Sequence, residues 1–168
     1  MLHTLLIFLL LASALAQTEI FDLGTGASWH VNNSNGTIHC AATVPGMIHT
    51  DLMSCGVISE PYHVDNDALQ RWIPEETWSY TTTFPTPPLS FPFIDLTFDG
   101  LATVAIVTLN GVAILSTNNQ FRVWRVHVRP LLYTDGNTNC LVVAIASSTR
   151  YAADKNAAYN MSTHNITT

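Results

Sequence analysis

The sequence predicts an all-β protein, a jelly-roll β-sandwich with one short helix and a long irregular loop. Three observations lead to this fold class. Apolar and polar residues alternate through many short segments, as they do in half-buried strands. Turn-forming residues separate neighbouring segments at hairpin spacing. Outside residues 46–55 no stretch sustains the helical spacing of apolar residues, which leaves short strands as the main elements of a sandwich.

Residues 1–16 are predicted to be a signal peptide. An apolar run from Leu5 to Leu11 is followed by Ala14-Leu15-Ala16, and this small-x-small ending is typical of secretory cleavage sites. We place the cleavage before Gln17. The alternative is a membrane anchor, but an anchor needs about 20 apolar residues, and this run is shorter.

The charge of the chain argues against a nucleic-acid partner. Six Lys and Arg residues stand against twelve Asp and Glu residues, and the net charge is -6 at pH 7. Proteins that bind nucleic-acid phosphates carry clustered basic residues instead. Beyond residue 16 no apolar run is long enough to span a bilayer, so no membrane anchor is expected.

Cysteines and glycosylation motifs are consistent with a secretory route. Three cysteines, Cys40, Cys55 and Cys140, allow at most one disulfide within the chain, and the third thiol is then buried, free or paired outside it. Four Asn-x-Ser/Thr sequons mark candidate N-glycosylation sites, and their first two acceptors are too close together for both to be modified easily. The acceptors are Asn32, Asn35, Asn160 and Asn165.

The strands of the first half are predicted in chain order. Residues 28–32 and 37–42 flank an Asn-Ser-Asn-Gly turn and form a hairpin. Residues 78–84, WSYTTTF, alternate aromatic residues with Thr, as a half-buried strand does. The next segment, residues 85–92, contains four prolines, so we expect an exposed loop.

The second half contains the clearest hairpin. Asn110-Gly111 separates two apolar strands, and this pair favours a two-residue turn. Because both faces of residues 103–109 are largely apolar, we expect this strand to be covered on both sides. Residues 93–99 and 121–128 alternate in polarity, and residues 139–148 are predicted to form a buried strand.

A long irregular segment, residues 43–73, lies between the first hairpin and the strand at residues 78–84. Val44-Pro45-Gly46 turns the chain out of the sheet. Residues 46–55 then form a short helix with Ile48, Leu52 and Cys55 at helical spacing. A loop of this length in a sandwich domain usually carries function.

A series of motifs runs through this segment and beyond it: Val44-Pro45-Gly46, His49, Leu52, Gly56-Val57-Ile58, Pro61-Tyr62, Asn66-Asp67, Trp72-Ile73 and Trp78-Ser79-Tyr80. Together they resemble the N-terminal domain of the lysosomal-type β-mannosidases of glycoside hydrolase family 2. The resemblance continues through residues 99–111, 118–124 and 147–159. Two positions depart from the family pattern. Glu60 and His127 each stand where Asp is usual, and at His127 a capping or turn contact would be lost.

The resemblance implies a galactose-binding-like domain that is not itself catalytic. In family 2, hydrolysis of terminal β-mannose from oligosaccharides uses two Glu residues of a separate (β/α)8 barrel. The sequence ends before the segments that lead to this barrel in the family, so an incomplete chain is expected. Residues 17–150 would be the sugar-binding-like jelly roll, and residues 151–168 an incomplete extension toward further domains.

The expected activity and location follow from the same resemblance. The chain alone is expected to be inactive, and no catalytic residue is assigned in it. Adjacent Glu75-Glu76 is interpreted as a solvated turn because no apolar pocket is implied that would raise either pKa. The partner would be a β-mannosyl oligosaccharide, and the location the lysosome or the extracellular space.

Asn66, Asp67, Arg71 and Trp72 are the candidate substrate-binding residues. An Asn or Arg side chain can hydrogen-bond sugar hydroxyls, and the face of a Trp can stack on a pyranose ring. The competing interpretation is structural: Asn66-Asp67 closes a turn through side-chain to backbone bonds, and the stem of Arg71 covers apolar surface.

Two other function classes compete with this prediction: an autonomous secreted carbohydrate-binding module, and a structural domain that only supports a barrel. No cofactor is expected, since Gly24-Thr25-Gly26 is not followed by the glycine and helix signals of a nucleotide fingerprint. No metal site is expected, because the seven His residues lack ligand spacing. His49 is interpreted as a structural residue of the short helix, or alternatively as a pocket residue.

Overall fold

Two antiparallel sheets make up the architecture in the computed structural model, which describes residues 18–63 and 65–159. Within these ranges there are eight strands: β1 Trp29–Asn33, β2 His39–Ala42, β3 Trp78–Phe84, β4 Asp95–Phe98, β5 Val104–Leu109, β6 Val112–Asn118, β7 Trp124–His127 and β8 Asn139–Ile145. The larger sheet has the order β2-β1-β3-β8-β5-β6, and β4 pairs with β7 in the smaller one. The predicted signal peptide and the sequons at Asn160 and Asn165 lie outside the described residues.

One face of the six-stranded sheet forms the core. Strand pairing sets Val31 of β1 beside Tyr80 of β3, and Val143 of β8 beside Val107 of β5. Val31 and Val107 are fully buried. The inward side chains of the small sheet, Leu96, Phe98 and Val126, pack against this core. The prediction of an all-β sandwich is therefore confirmed.

The opposite face of the six-stranded sheet corrects one prediction. Residues 103–109 were expected to be covered on both sides, yet Ile106 of β5 is 51% exposed. Neighbouring outward residues, Val142 and Ala144 of β8, are only partly buried. In the described residues no second layer covers this face completely, because the small sheet packs on the other side.

Within the described residues the structure contains three α-helices, not the single short helix predicted. They are α1 Ile48–Ser54, α2 Asn66–Leu69 and α3 Ser148–Tyr159. The last of these has no buried residue, so it lacks the apolar periodicity by which a helix is recognised. Its alanines favour a helix by intrinsic propensity. The predicted domain boundary at residue 150 falls inside it.

The pairing of the cysteines, which the sequence left open, is Cys40 with Cys55. This disulfide links β2 to the end of α1 across a sequence separation of 15 residues. Leu52, on the predicted apolar side of α1, is fully buried. Cys140 is half-buried and is a free thiol.

Two turns depend on particular residues. A Cβ atom at Gly46 would lie 2.2 Å from the carbonyl oxygen of Thr43, so only glycine fits the approach to α1. At the β5–β6 turn, Asn110 and Gly111 have φ angles of 52° and 80°. Positive φ at both central residues is the requirement of the tight hairpin turn that the pair predicted.

Candidate functional site

The irregular segment is held to the sandwich by a buried polar contact beneath α1. The carboxylate of Asp51, which is 3% exposed, accepts a 3.0 Å hydrogen bond from the backbone N–H of Thr43. The Tyr80 hydroxyl of β3 lies 3.5 Å from the same carboxylate. Burial raises the pKa of Asp51. The pKa of Tyr80 is also raised, mainly by burial and secondly by the charge of Asp51. This contact ties α1 to β3.

The four predicted sugar-binding residues lie on α2 and the turn that follows it. Asn66 is partly buried, and its Nδ2 donates a 2.7 Å hydrogen bond to the carbonyl oxygen of Glu60. This is the kind of side-chain to backbone bond that the structural interpretation of Asn66 requires. A sugar contact by Asn66 stays a prediction.

Asp67, Arg71 and Trp72 face solvent. In the described part of the chain neither the Asp67 carboxylate nor the Arg71 guanidinium makes a hydrogen bond or ion pair. Trp72 is 38% exposed, and its ring lies 5.9 Å from that of Trp78 at an angle of 50°. Because Trp78 is buried and bonds the carbonyl oxygen of Ile73 through Nε1 at 3.0 Å, it anchors the exposed Trp72 ring to the sandwich.

Gln70 is a residue of this region that the sequence did not single out. It is 7% exposed, and its Nε2 donates a 2.9 Å hydrogen bond to the carbonyl oxygen of Ser59. Its Oε1 is buried and has no partner among the described residues. A single glutamine between Leu69 and Arg71 carries no sequence signal that it is buried.

The two adjacent glutamates have structural partners. The Glu76 carboxylate accepts hydrogen bonds from the Ser34 hydroxyl and the Thr77 backbone N–H. Both bonds lower the pKa of Glu76, and the bond from Ser34 has the larger effect. Glu75 pairs with Arg150 of α3 at 3.5 Å. A general acid of a glycosidase requires a raised pKa instead, so Glu76 is unsuited to that role.

A second polar surface lies on the outer face of the six-stranded sheet. A groove of about 260 Å³ is lined by Ser28, His30, Asn32, His39 and residues 81–83. The rings of His30 and His39 stack with centroids 5.2 Å apart and planes 10° from parallel. The His39 Nδ1 lies 2.6 Å from the Asn32 Oδ1. These two His residues were not singled out from the sequence. The predicted hairpin, which places both on one face, was the signal that could have identified them.

The smaller sheet contains the second departure from the family pattern. His127 of β7 lies opposite Asp95 of β4, and its Nδ1 is 3.0 Å from the Asp95 Oδ1. A capping or turn contact was expected to be lost at position 127, but the His127 side chain has a partner in Asp95.

Two kinds of feature are absent from the described residues, a metal site and a membrane-spanning helix. In residues 18–63 and 65–159, no three His, Cys, Asp or Glu side chains lie close enough together to hold a metal ion. Among the helices in the same ranges, none has the length and apolar character needed to cross a membrane. His49 is partly buried on α1, and its role stays a prediction.

Comparison with known families shows to which family the chain belongs. The sequence model of the family described as glycosyl hydrolase 2 galactose-binding domain-like matches residues 29–167. The chain belongs to this family. The match extends from β1 through the whole of α3, so it includes both sheets and the three helices of the described residues.

Relatives of this glycosyl hydrolase 2 domain are β-mannosidases. The chain is 35% identical to mouse β-mannosidase over 161 residues, which are 94% of this chain and 18% of the mouse protein. It is 38% identical to β-mannosidase B of Aspergillus terreus over 119 residues, which are 69% of this chain and 14% of the relative. The chain thus spans less than a fifth of these relatives.

Solved structures of family 2 enzymes share the fold. The β-D-mannosidase of Dictyoglomus thermophilum superposes with a TM-score of 0.73 at 30% identity, over 77% of this chain and 16% of that enzyme. An FMN-binding β-glucuronidase from Facaelibacterium prausnitzii superposes with a TM-score of 0.55 at 18% identity, over 77% and 18% of the two chains, and shows the fold alone. The predicted resemblance to the galactose-binding-like domain of family 2 β-mannosidases is confirmed.

Proposed function

We propose that this domain serves as the non-catalytic N-terminal part of a β-mannosidase that removes terminal β-mannose from oligosaccharides. One observation carries the proposal: mouse β-mannosidase aligns with 94% of this chain at 35% identity. The family model over residues 29–167 supports the same assignment.

Three of the described carboxylates, those of Asp51, Glu75 and Glu76, have structural partners. Glu76 is held by Ser34 and Thr77 and has a lowered pKa. Glu75 pairs with Arg150. Asp51 has a raised pKa, but it is buried beneath α1 and bonded to the backbone of Thr43. A retaining glycosidase needs two carboxyls about 5–5.5 Å apart at an open site.

The irregular segment is the proposed sugar-facing part of the domain. Trp72 offers a partly exposed ring fixed by Trp78, and Asp67 and Arg71 are exposed. A ring that stacks on a pyranose, flanked by hydrogen-bonding groups, is suited to a carbohydrate. We include Asn66 in this set, with its Nδ2 on Glu60 leaving the Oδ1 as the atom that would contact a β-mannosyl oligosaccharide.

A secretory route completes the proposal. Residues 1–16 would direct the chain into the secretory pathway, and Asn32, Asn35, Asn160 and Asn165 are the candidate glycan acceptors. The disulfide between Cys40 and Cys55 suits an oxidising compartment. The destination would be the lysosome or the extracellular space.

A domain replacement tests the function. In mouse β-mannosidase, the region aligned with this chain would be replaced by residues 17–168, and the chimera assayed with a chromogenic β-mannoside. We expect hydrolysis by this chimera, little by a matched chimera carrying the corresponding domain of the Facaelibacterium β-glucuronidase, and none by the chain alone. Equal inactivity of both chimeras, with both proteins folded, would contradict the proposal.

The sheet groove favours one alternative, an autonomous carbohydrate-binding module. Its lining of hydroxyls, an amide and imidazoles contains no carboxylate and no Lys or Arg, and such neutral groups can each hydrogen-bond a sugar hydroxyl. Titration of the secreted chain with mannobiose separates the two functions. Binding that is lost in His39→Ala and kept in Trp72→Ala would support the module, whereas a lack of binding would leave the enzyme-domain proposal.

A further inference from the structure

We propose that Asn35, and not Asn32, is the N-glycan acceptor of the β1–β2 hairpin. The inference rests on the proposed secretory route and decides between two sequons, residues 32–34 and 35–37, that are adjacent in the sequence. The two asparagines differ in the contacts of two groups that glycosylation requires, the side-chain amide that receives the glycan and the hydroxyl of the sequon.

Asn35 lies at the exposed tip of the hairpin. Its Oδ1 accepts hydrogen bonds from the Thr37 backbone N–H at 3.0 Å and from the Thr37 hydroxyl at 2.7 Å. The hydroxyl that defines the sequon is thus already beside the acceptor amide. Among the described residues no group bonds the Asn35 Nδ2, which is the atom that receives the glycan.

The space around this tip is open. A Cβ atom built on Gly36, the middle residue of the sequon, would meet nothing within 4 Å. Gly36 has a φ of 72°, and its backbone N–H bonds the Asn33 carbonyl oxygen at 3.1 Å. The turn is therefore an ordered projection beyond the sheet, with room for a bulky substituent.

Asn32 lies inside the sheet instead. It pairs with His39 of β2 on one side and with Ser79 of β3 on the other, and its side chain is partly buried. Its Oδ1 is 2.6 Å from the His39 Nδ1. The hydroxyl of its sequon, Ser34, donates to the Glu76 carboxylate, and among the described residues it makes no hydrogen bond to the Asn32 amide.

A glycan on Asn32 would also need space that other side chains occupy. The Asn32 side chain opens into the groove lined by His30, His39, Thr81 and Thr83. The first sugar would have to enter this groove beside the stacked imidazoles. A glycan on Asn35 extends into solvent and disturbs no contact of the sheet.

The modification is a group transfer from a lipid-linked oligosaccharyl diphosphate, catalysed by the transferase of the host secretory pathway. The Asn35 Nδ2 attacks the anomeric carbon and forms the N-glycosidic bond. The bond from that carbon to the diphosphate oxygen breaks, and the lipid diphosphate leaves with the bonding electron pair. One amide proton passes to a base of the transferase.

The test uses the full chain, secreted from a eukaryotic host, and two variants that keep both asparagines. Thr37→Ala removes the Asn35 sequon, and Ser34→Ala removes the Asn32 sequon without breaking the Asn32–His39 contact. Enzymatic deglycosylation in heavy-oxygen water, followed by peptide mass spectrometry, reports occupancy at each Asn. We expect Asn35 to be occupied and Asn32 unmodified, with one glycan lost in Thr37→Ala and none in Ser34→Ala.

The other outcomes distinguish a failure of this inference from a failure of the proposed secretory route. A glycan on Asn32, alone or together with Asn35, would overturn the inference, as would glycans confined to Asn160 and Asn165, and both results would leave the secretory route intact. A chain that keeps residues 1–16 and carries no glycan at any sequon would refute the secretory route and this inference together.

Discussion

The side-chain amide of Asn110 donates a 2.9 Å hydrogen bond to the Oδ1 of Asn139, joining the β5–β6 turn to the first residue of β8. Asn139 is fully buried, and its Oδ1 also accepts from the Tyr133 backbone N–H at 3.0 Å. Its Nδ2 donates to the Thr86 hydroxyl at 2.8 Å. One buried amide therefore connects four separate segments of the chain.

Asn139→Ala should be strongly destabilising. The substitution leaves the Tyr133 N–H and an Asn110 amide hydrogen without acceptors in a partly buried site, and it adds a small cavity. Each unsatisfied group costs about 1–3 kcal/mol, so we expect the free energy of unfolding to fall by roughly 3 kcal/mol. Urea denaturation would measure it. The matched control is Asn137→Ala, since Asn137 is exposed and bonds only Asp135 nearby; a similar loss in both variants would contradict the network.

Cys55→Ser should loosen the irregular segment. The disulfide to Cys40 closes a loop with a sequence separation of 15 residues, and a loop of that size is worth about 3 kcal/mol in the chain-entropy treatment. We expect a lower urea midpoint and faster proteolysis within α1. Cys140→Ser is the control, because Cys140 is half-buried and outside the disulfide. Equal midpoints for the two variants would show that the disulfide contributes little.

Asp51 should give the domain a specific pH dependence. Burial raises its pKa in the folded protein above the ordinary value of 3.8, so its stabilising contribution is complete below pH 3.8 and is lost as the pH rises through the raised pKa. In Asp51→Asn the amide oxygen can still accept from Thr43, and no charge is buried.

The stability of Asp51→Asn relative to the unmodified protein should therefore increase as the pH rises from below 3.8 toward neutrality. Urea midpoints measured across this range provide the comparison, and the difference between the two proteins removes the titration of other groups. Asp67→Asn is the exposed control. A difference that stays constant with pH would exclude a raised Asp51 pKa.

The β6 edge should promote association between copies of the chain. In the described residues β6 pairs only with β5, so its other side presents unpaired backbone groups. Val112 is 48% exposed on this strand, and Ile106 on β5 is 51% exposed. We expect concentration-dependent dimers or larger species by analytical ultracentrifugation.

A charge on that edge should reduce the association. Ala113 is exposed on β6, and Ala113→Lys places a charge where a second strand would pair. Ala157→Lys, on the exposed α3, is the control for the added charge alone. The edge hypothesis fails if both variants associate as strongly as the unmodified chain, or if the unmodified chain is monomeric at every concentration.

Local sequence was sufficient for the strands, the hairpins and α1. Alternation of polarity along residues 78–84 and the Asn110-Gly111 pair act over a few neighbouring residues, so their conformations could be predicted without the rest of the molecule. The helix α3 was missed for the complementary reason: it has no buried side chain, and the apolar periodicity that indicates a helix arises only from burial.

The motifs from Val44 to Tyr80 were likewise sufficient to place the chain in its glycosyl hydrolase 2 family, because they are local and can be recognised in the sequence without knowledge of tertiary contacts.

Tertiary structure decided the rest. Three cysteines allow several pairings, and only the position of α1 against β2 brings Cys55 to Cys40. An apolar strand does not indicate how many faces are covered, so the exposure of Ile106 depended on where the second sheet packs. Two sequons look equivalent in sequence, but strand pairing engages Asn32 with His39 and leaves Asn35 at an open turn. The cysteine pairing and the exposure of Ile106 depend on how different elements pack together. The state of Asn32 depends on its pairing with His39 and Ser79 in the sheet, so none of the three could be derived from the local sequence alone.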